Sequence, residues 1–212
     1  MIRDWEILGR EFIQDFKIFQ IEKKRVRSPR TGKVREVQAI QFPDWVLILA
    51  LTRDEKVVMV RQYRHGIERV CLELPGGLVD PADDSPALSV QRELLEETGY
   101  QADEIMLIGE CFPQPAILSN KCFFYLAKDA AEVQPQHLDS GEDIEILKIP
   151  LKEIPAKIKN KEIDHGMVLL AFFFLWMKQG QGKEPMTVHD AERPSVAKAM
   201  AGRQLMAEND RS

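Results

Sequence analysis

Three apolar runs rich in aliphatic and β-branched residues, "WVLILAL", "KVVMVRQY" and "VCLELP", lie between Trp45 and Pro75 and run straight into a pair of glycines, Gly76 and Gly77. Runs of this kind read as central strands of a sheet that is covered on both faces. Two successive residues without a Cβ let the chain turn sharply and bring its backbone close to a ligand. A short acidic loop follows, and then an amphipathic segment with Pro86 at its first turn, Ser85 or Asp84 in position to cap it and Gly99 in position to stop it. That pattern predicts a helix from Pro86 to about Thr98.

The helix carries Glu93, Glu96 and Glu97. At roughly 100° per residue these three carboxylates share an arc of about 100°, next to an apolar arc formed by Ala87, Leu88, Val90, Leu94 and Leu95. The acidic edge is therefore expected at the border of the core. A solvated acidic face is the ordinary explanation for such a cluster, but the strand, the two glycines and the helix together favour a cation site. Hard oxygen ligands without His or Cys beside them select Mg²⁺, with Mn²⁺ as the alternative, and Mg²⁺ usually completes its shell with water and substrate phosphate.

Elsewhere the chain alternates strand-like and helix-like segments. "EIMLIGECF" and "KCFFYLA" read as strands around the loop "PQPAILSN", "IEILKIP" as a further strand, and "PLKEIPAKI" and "EIDHGMVLLAFFFLWMKQG" as a short and a long buried helix. The class is α/β or α+β, with a mixed sheet covered by helices. Ahead of it, "FKIFQIEKKRVRSP", the turn "SPRTGK" and "VREVQAIQF" predict a β-hairpin arm able to pair with another chain. We divide the chain into an arm (1–42), a central domain (43–180) and a tail (181–212) in which "SVAKAMAGRQLMAE" reads as an amphipathic helix.

The net charge of -5 argues against nucleic acid or an anionic membrane as partner. Three cysteines without metal-ligand spacing suit a reducing compartment, and "MIRDWEILGREF" lacks an apolar core of signal-peptide length, so the cytoplasm is expected. The strongest apolar run, Met167 to Met177, is too short to cross a bilayer.

The stretch from Gly77 to Tyr100 resembles the Nudix hydrolase family, whose box reads G-x₅-E-x₇-R-E-U-x-E-E-x-G-U, with U a bulky apolar residue. Arg92-Glu93-Leu94-Leu95-Glu96-Glu97-Thr98-Gly99-Tyr100 matches the second half except for an aromatic at the last position. The first half has Asp83 or Asp84 in place of the glutamate, with one extra loop residue. Upstream, "VVMVRQYRHGIERVCLELPGG" is similar to the branch that hydrolyses ADP-ribose and related nucleoside diphosphate sugars, and Pro115 stands where that branch has a proline in its substrate loop.

The resemblance implies an α/β/α sandwich and Mg²⁺-dependent hydrolysis of a pyrophosphate bond. It implies metal binding by Glu93, Glu96, Glu97 and the Gly76 carbonyl, with Arg92 orienting the glutamates. Glu142 is the expected general base, Glu145 or Glu93 its substitutes, and Arg61, Arg64, Glu73 and Pro115 the expected substrate contacts. Trp45 and Phe42 offer a shelf for a base, whereas His65 and His165, without partners at ligand spacing, read as solvated or structural. A homodimer through the arm follows from the same resemblance. The competing functions are a non-catalytic nucleotide-sugar-binding module and a Nudix hydrolase of NADH or a dinucleoside polyphosphate.

Overall fold

A computed structural model describes residues 2–180. The tail, with its expected helix, lies outside the described residues. Met1–Gln179 form one compact unit.

The first three strands are β1 (Glu6–Asp15), β2 (Gln20–Arg27) and β3 (Val34–Gln41), and they form an antiparallel sheet of their own in the order β1-β2-β3. The expected hairpin is its β2–β3 half, closed where the Ser28 N–H donates to the Lys33 carbonyl. β1 adds a strand that the sequence does not announce, because its apolar residues do not alternate cleanly and most of it stays exposed. Phe12 and Ile13 lie at an irregularity in the β1–β2 register, and both are about half exposed or more, at 59% and 46%.

The main sheet contains β4 (Trp45–Leu51), β5 (Lys56–Arg64), β6 (Arg69–Glu73), β7 (Gly76–Leu78), then after helix α1 (Pro86–Thr98) and the short β8 (Tyr100–Gln101) the strands β9 (Glu104–Cys111) and β10 (Cys122–Lys128). β11 (Ala131–Glu132) pairs with β8, and β12 (Ile144–Pro150) closes the far edge. The order is β12-β5-β4-β10-β9, with β6 on β5 and β7 on β4; β4 and β10 are parallel and the other pairs antiparallel. A 3-10 turn, Leu151–Glu153, leads into α2 (Ile154–Lys159), and α3 (Gly166–Gln179) follows.

The alternation within the β4 run explains why it reads as uninterrupted apolar sequence. Leu47 and Leu49 point to the face covered by α3, together with Met59, Phe124, Phe172 and Leu175. Val46, Ile48 and Ala50 point to the other face, where Val90 and Leu94 of α1 lie. A strand buried on both sides has no polar positions to spare. The mixed sheet between α1 and α3 is the expected α/β/α arrangement. No described helix is long and apolar enough to cross a membrane.

Helix α1 has the expected ends. Ser85 is its N-cap, without a side-chain cap bond, and Gly99 caps the C-terminus in the left-handed region at φ 71°, its N–H donating to the Leu95 carbonyl. The buried face is not the expected one. Ser89, Val90, Leu94, Glu97 and Thr98 are buried, while Leu88 is exposed. The helix is rotated so that one of its glutamates faces inward, because β7 packs beside the acidic edge.

Candidate active site

The turn at Pro75–Gly77 sets the site. A Cβ on Gly76 would collide with the Val46 carbonyl, and one on Gly77 would stand 2.5 Å from Glu93 Oε1. Only glycine lets the backbone pass between β4 and the helix. The Gly76 N–H then donates to Glu97 Oε2 at 3.0 Å, which fixes the inward-facing carboxylate against the strand end.

Glu97 is 3% exposed. Burial pushes its carboxyl up to about 8; the Gly76 N–H opposes this, and the neighbouring charges of Glu93 and Glu142 add to it. Burial also raises the Glu93 carboxyl, against the pull of Arg92. Three acids therefore act on one another in a cleft of about 420 Å³, lined by Glu93, Glu97, Glu142, Arg92 and Arg64 together with Gly76 and Gly77. Glu142 reaches it from the loop before β12, held by a turn in which its N–H donates to the Asp139 carbonyl and its Oε2 accepts from the Asp139 N–H at 3.1 Å.

Arg92 holds the rest of the acidic edge. Its Nη1 is 2.8 Å from Glu96 Oε2, its Nη2 3.1 Å from Glu93 Oε1 and its Nε 3.5 Å from Asp83 Oδ2. Glu96 is thus turned toward the guanidinium at the rim. Asp83 also accepts from the buried Ser89 hydroxyl at 2.8 Å, and Ser89 Oγ in turn accepts the Asp80 N–H. Of the two candidate acids, Asp83 is the one placed against Arg92 and Ser89. Five residues separate it from Gly77, so the extra residue of the box, Asp84, lies on the helix side of the acid.

Among the described residues no three His, Cys, Asp or Glu side chains converge in metal-ligand geometry. The donor chemistry nonetheless fits a hard divalent cation. Glu93 and Glu97 are desolvated carboxylates of raised proton affinity in one cleft, and a cation would favour their ionised forms. With like charges repelling across a partly dry cleft, each carboxylate turns to its own donor, Glu96 to Arg92 and Glu97 to the Gly76 N–H.

Of the other expected substrate residues, Arg64 and Glu73 are brought together. Glu73 is buried, and Arg64 grips it with Nε and Nη2 at 2.9 and 2.7 Å. Arg61 and Pro115 line neither this cleft nor the recess beside it. Arg61 stands opposite Glu145 in the β5–β12 ladder and pairs with it at 2.8 Å, and Glu145 lines neither cavity. Pro115 sits in a turn over Gln114–Leu118 that bonds to the arm through Ile40, whose N–H donates to the Ile117 carbonyl.

Two groups escape a reading of the sequence. Gln62 and Asp80 line the acidic cleft. His65 and His165, distant in sequence and read as solvated or structural, both line a second recess of about 450 Å³ on the α3 side, bounded by Trp45, Leu74, Leu78 and Met167. Nothing in their spacing could have revealed that.

The family model for the NUDIX domain matches residues 42–172. An ADP-ribose pyrophosphatase of Bacillus subtilis is 26% identical over 173 residues, 81% of this chain and 92% of that protein. An ADP-ribose pyrophosphatase of Mycobacterium tuberculosis is 31% identical over 168 residues, 78% of this chain and 80% of that protein. A solved structure described as an ADP compounds hydrolase superposes with a TM-score of 0.74 at 23% identity, over 87% of this chain and 99% of that one, and shares the fold.

Proposed function

Because the chain belongs to the Nudix hydrolase family, we propose that it hydrolyses the pyrophosphate bond of ADP-ribose or a related nucleoside diphosphate sugar, giving a nucleoside monophosphate and a sugar phosphate. The observation that carries this reading is the cleft in which Glu93, Glu97 and Glu142 face one another beside Arg92 and Arg64. Substrates named for two relatives support the same chemistry.

Mg²⁺ is the proposed cofactor and Mn²⁺ its substitute, held by Glu93, Glu96, Glu97 and the Gly76 carbonyl. Such a cation neutralises diphosphate charge and lowers the pKa of bound water. The protein's own groups do the rest. Arg92 keeps Glu93 and Glu96 on one side of the helix. Arg64 spends Nε and Nη2 on Glu73 and keeps Nη1 for a phosphate oxygen, with its charge anchored by a buried carboxylate. Glu142, on an exposed turn at the cleft, takes the proton of the attacking water. The acid set argues against a module that only binds, which has no need of it.

The division at residues 42 and 180 belongs to the same proposal, with the arm as the dimerisation element. β1 is an edge strand with exposed apolar side chains, Ile7, Phe12 and Ile13, a surface suited to a second copy. In that assembly Pro115, on the loop bonded to the arm, and Arg61 are assigned to the substrate side. Light scattering is expected to give about twice the chain mass of 24.3 kDa, and Phe12→Asp to shift it toward the monomer. A monomeric mass for the unaltered chain refutes the dimer. All three cysteines are free thiols, which suits the cytoplasm.

Phosphatase-coupled phosphate release across ADP-ribose, ADP-, GDP- and UDP-sugars, NADH and a dinucleoside polyphosphate tests the activity. Turnover is expected with Mg²⁺, strongest for a nucleoside diphosphate sugar, and lost with EDTA. Undiminished turnover under chelation would remove the metal-dependent reading.

A further inference from the structure

Helix α1 buries two hydroxyls and uses them differently. Thr98 is satisfied within its own helix, its Oγ1 donating to the Leu94 carbonyl. A buried serine or threonine inside a helix ordinarily bonds back in this way. Ser89, with no exposed surface, does not: its hydroxyl donates out of the helix to Asp83 Oδ2 at 2.8 Å and accepts the Asp80 N–H at 3.3 Å. Alanine would fill the position with a higher helix propensity and no polar atom to desolvate. The hydroxyl is therefore explained by what it holds and not by the helix that carries it.

What it holds leads to the cleft. Asp83 Oδ2, the atom that accepts from Ser89, also lies 3.5 Å from Arg92 Nε. The two terminal nitrogens of the guanidinium go to Glu93 and Glu96, at 3.1 and 2.8 Å. A guanidinium is a flat fork, so three carboxylates on three different nitrogens fix both its plane and its rotation. With only the terminal nitrogens engaged, the fork can swing and carry Glu93 and Glu96 with it. We propose that Ser89 is a positioning residue for the cleft: its hydroxyl sets Asp83, Asp83 sets the plane of Arg92, and Arg92 sets where Glu93 and Glu96 present their oxygens. The same hydroxyl pins the loop through Asp80, which lines the cleft and whose carbonyl accepts the Asp83 N–H at 3.0 Å. The relay rests on the reading of the cleft as the cation and diphosphate site. Ser89 does not line that cleft and acts only through Asp83 and Arg92.

Calorimetric titration with Mn²⁺ in the absence of substrate, together with kcat and KM for the best substrate of the phosphate-release screen, tests the relay. Ser89→Ala is expected to weaken Mn²⁺ by about fivefold and to lower kcat by about tenfold with KM within about twofold, the scale of one lost hydrogen bond to a charged group. Asp83→Ala should do the same, and the double variant no more than either alone, because both remove one relay. A serine that only packs the helix would lower the melting temperature, leave Mn²⁺ affinity and kcat in place, and add its effect to that of Asp83→Ala. Should Ser89→Ala not fold, Ser89→Cys, close in volume and only a weak donor, is expected to show the same losses at smaller size. A folded Ser89 variant of undiminished Mn²⁺ affinity and kcat, or effects that add to those of Asp83→Ala, overturns the relay. Turnover by the unaltered chain in that case leaves the hydrolase standing. Coupled loss of Mn²⁺ affinity in a chain that hydrolyses none of the substrates supports the relay and removes the hydrolase.

Discussion

Glu97→Gln is expected to lower kcat by about a thousandfold, the equivalent of ~4 kcal/mol of charge stabilisation in the transition state. The same substitution should leave the metal-free fold intact, because a neutral amide replaces a carboxyl that burial already holds mostly protonated near neutral pH. Its signature lies in the pH dependence of stability. The carboxyl's ordinary value is 4.5 and the folded chain raises it to about 8. Between those values the folded protein holds a proton that the unfolded chain has released, so stability is fully present below 4.5 and is lost as pH rises through about 8. Thermal melts of the metal-free protein at pH 5 and pH 8.5 should show a fall that is reduced in Glu97→Gln. A divalent cation must displace that proton, so its affinity should rise up to about tenfold per pH unit below 8. Identical pH profiles for the two proteins would show that the carboxyl is not desolvated as described.

Glu142→Gln should reduce kcat by about 10²–10⁴, the usual range for loss of a general base, with little change in melting temperature. The side chain is exposed, and its one hydrogen bond, from the Asp139 N–H, can be kept by the amide oxygen. Glu145→Gln is the matched control, since that carboxylate faces Arg61 across the sheet and lines neither cavity. Comparable losses in both variants, or near-normal turnover in Glu142→Gln, would move the base to Glu93.

Much of the helix and its chemistry is legible in the sequence because local signals agree. Pro86 and Gly99 mark the ends of α1, and the predicted span matches the observed one. The continuous apolar runs announce strands covered on both faces, and β4 alternates accordingly between two cores. β1 escapes for the opposite reason: a strand that buries little in its own chain has no alternation to read. The rotation of α1 escapes because a helical wheel counts apolar residues only. It cannot know that a Gly76 N–H waits on the other side for a carboxylate.

From sequence alone came the class of fold, the acidic helix after two glycines, and the family those residues resemble, because each depends on neighbours within about one helical turn or one strand. Tertiary structure decided where each acid sits. It buried Glu97, turned Glu96 to Arg92, placed Asp83 against Ser89 and Arg92, set Glu142 at the cleft and paired Glu145 with Arg61. It also brought His65 and His165 to the lining of one recess. Proton affinity and ligand reach depend on burial and on partners distant in the chain, and those exist only once the sheet has closed between its helices.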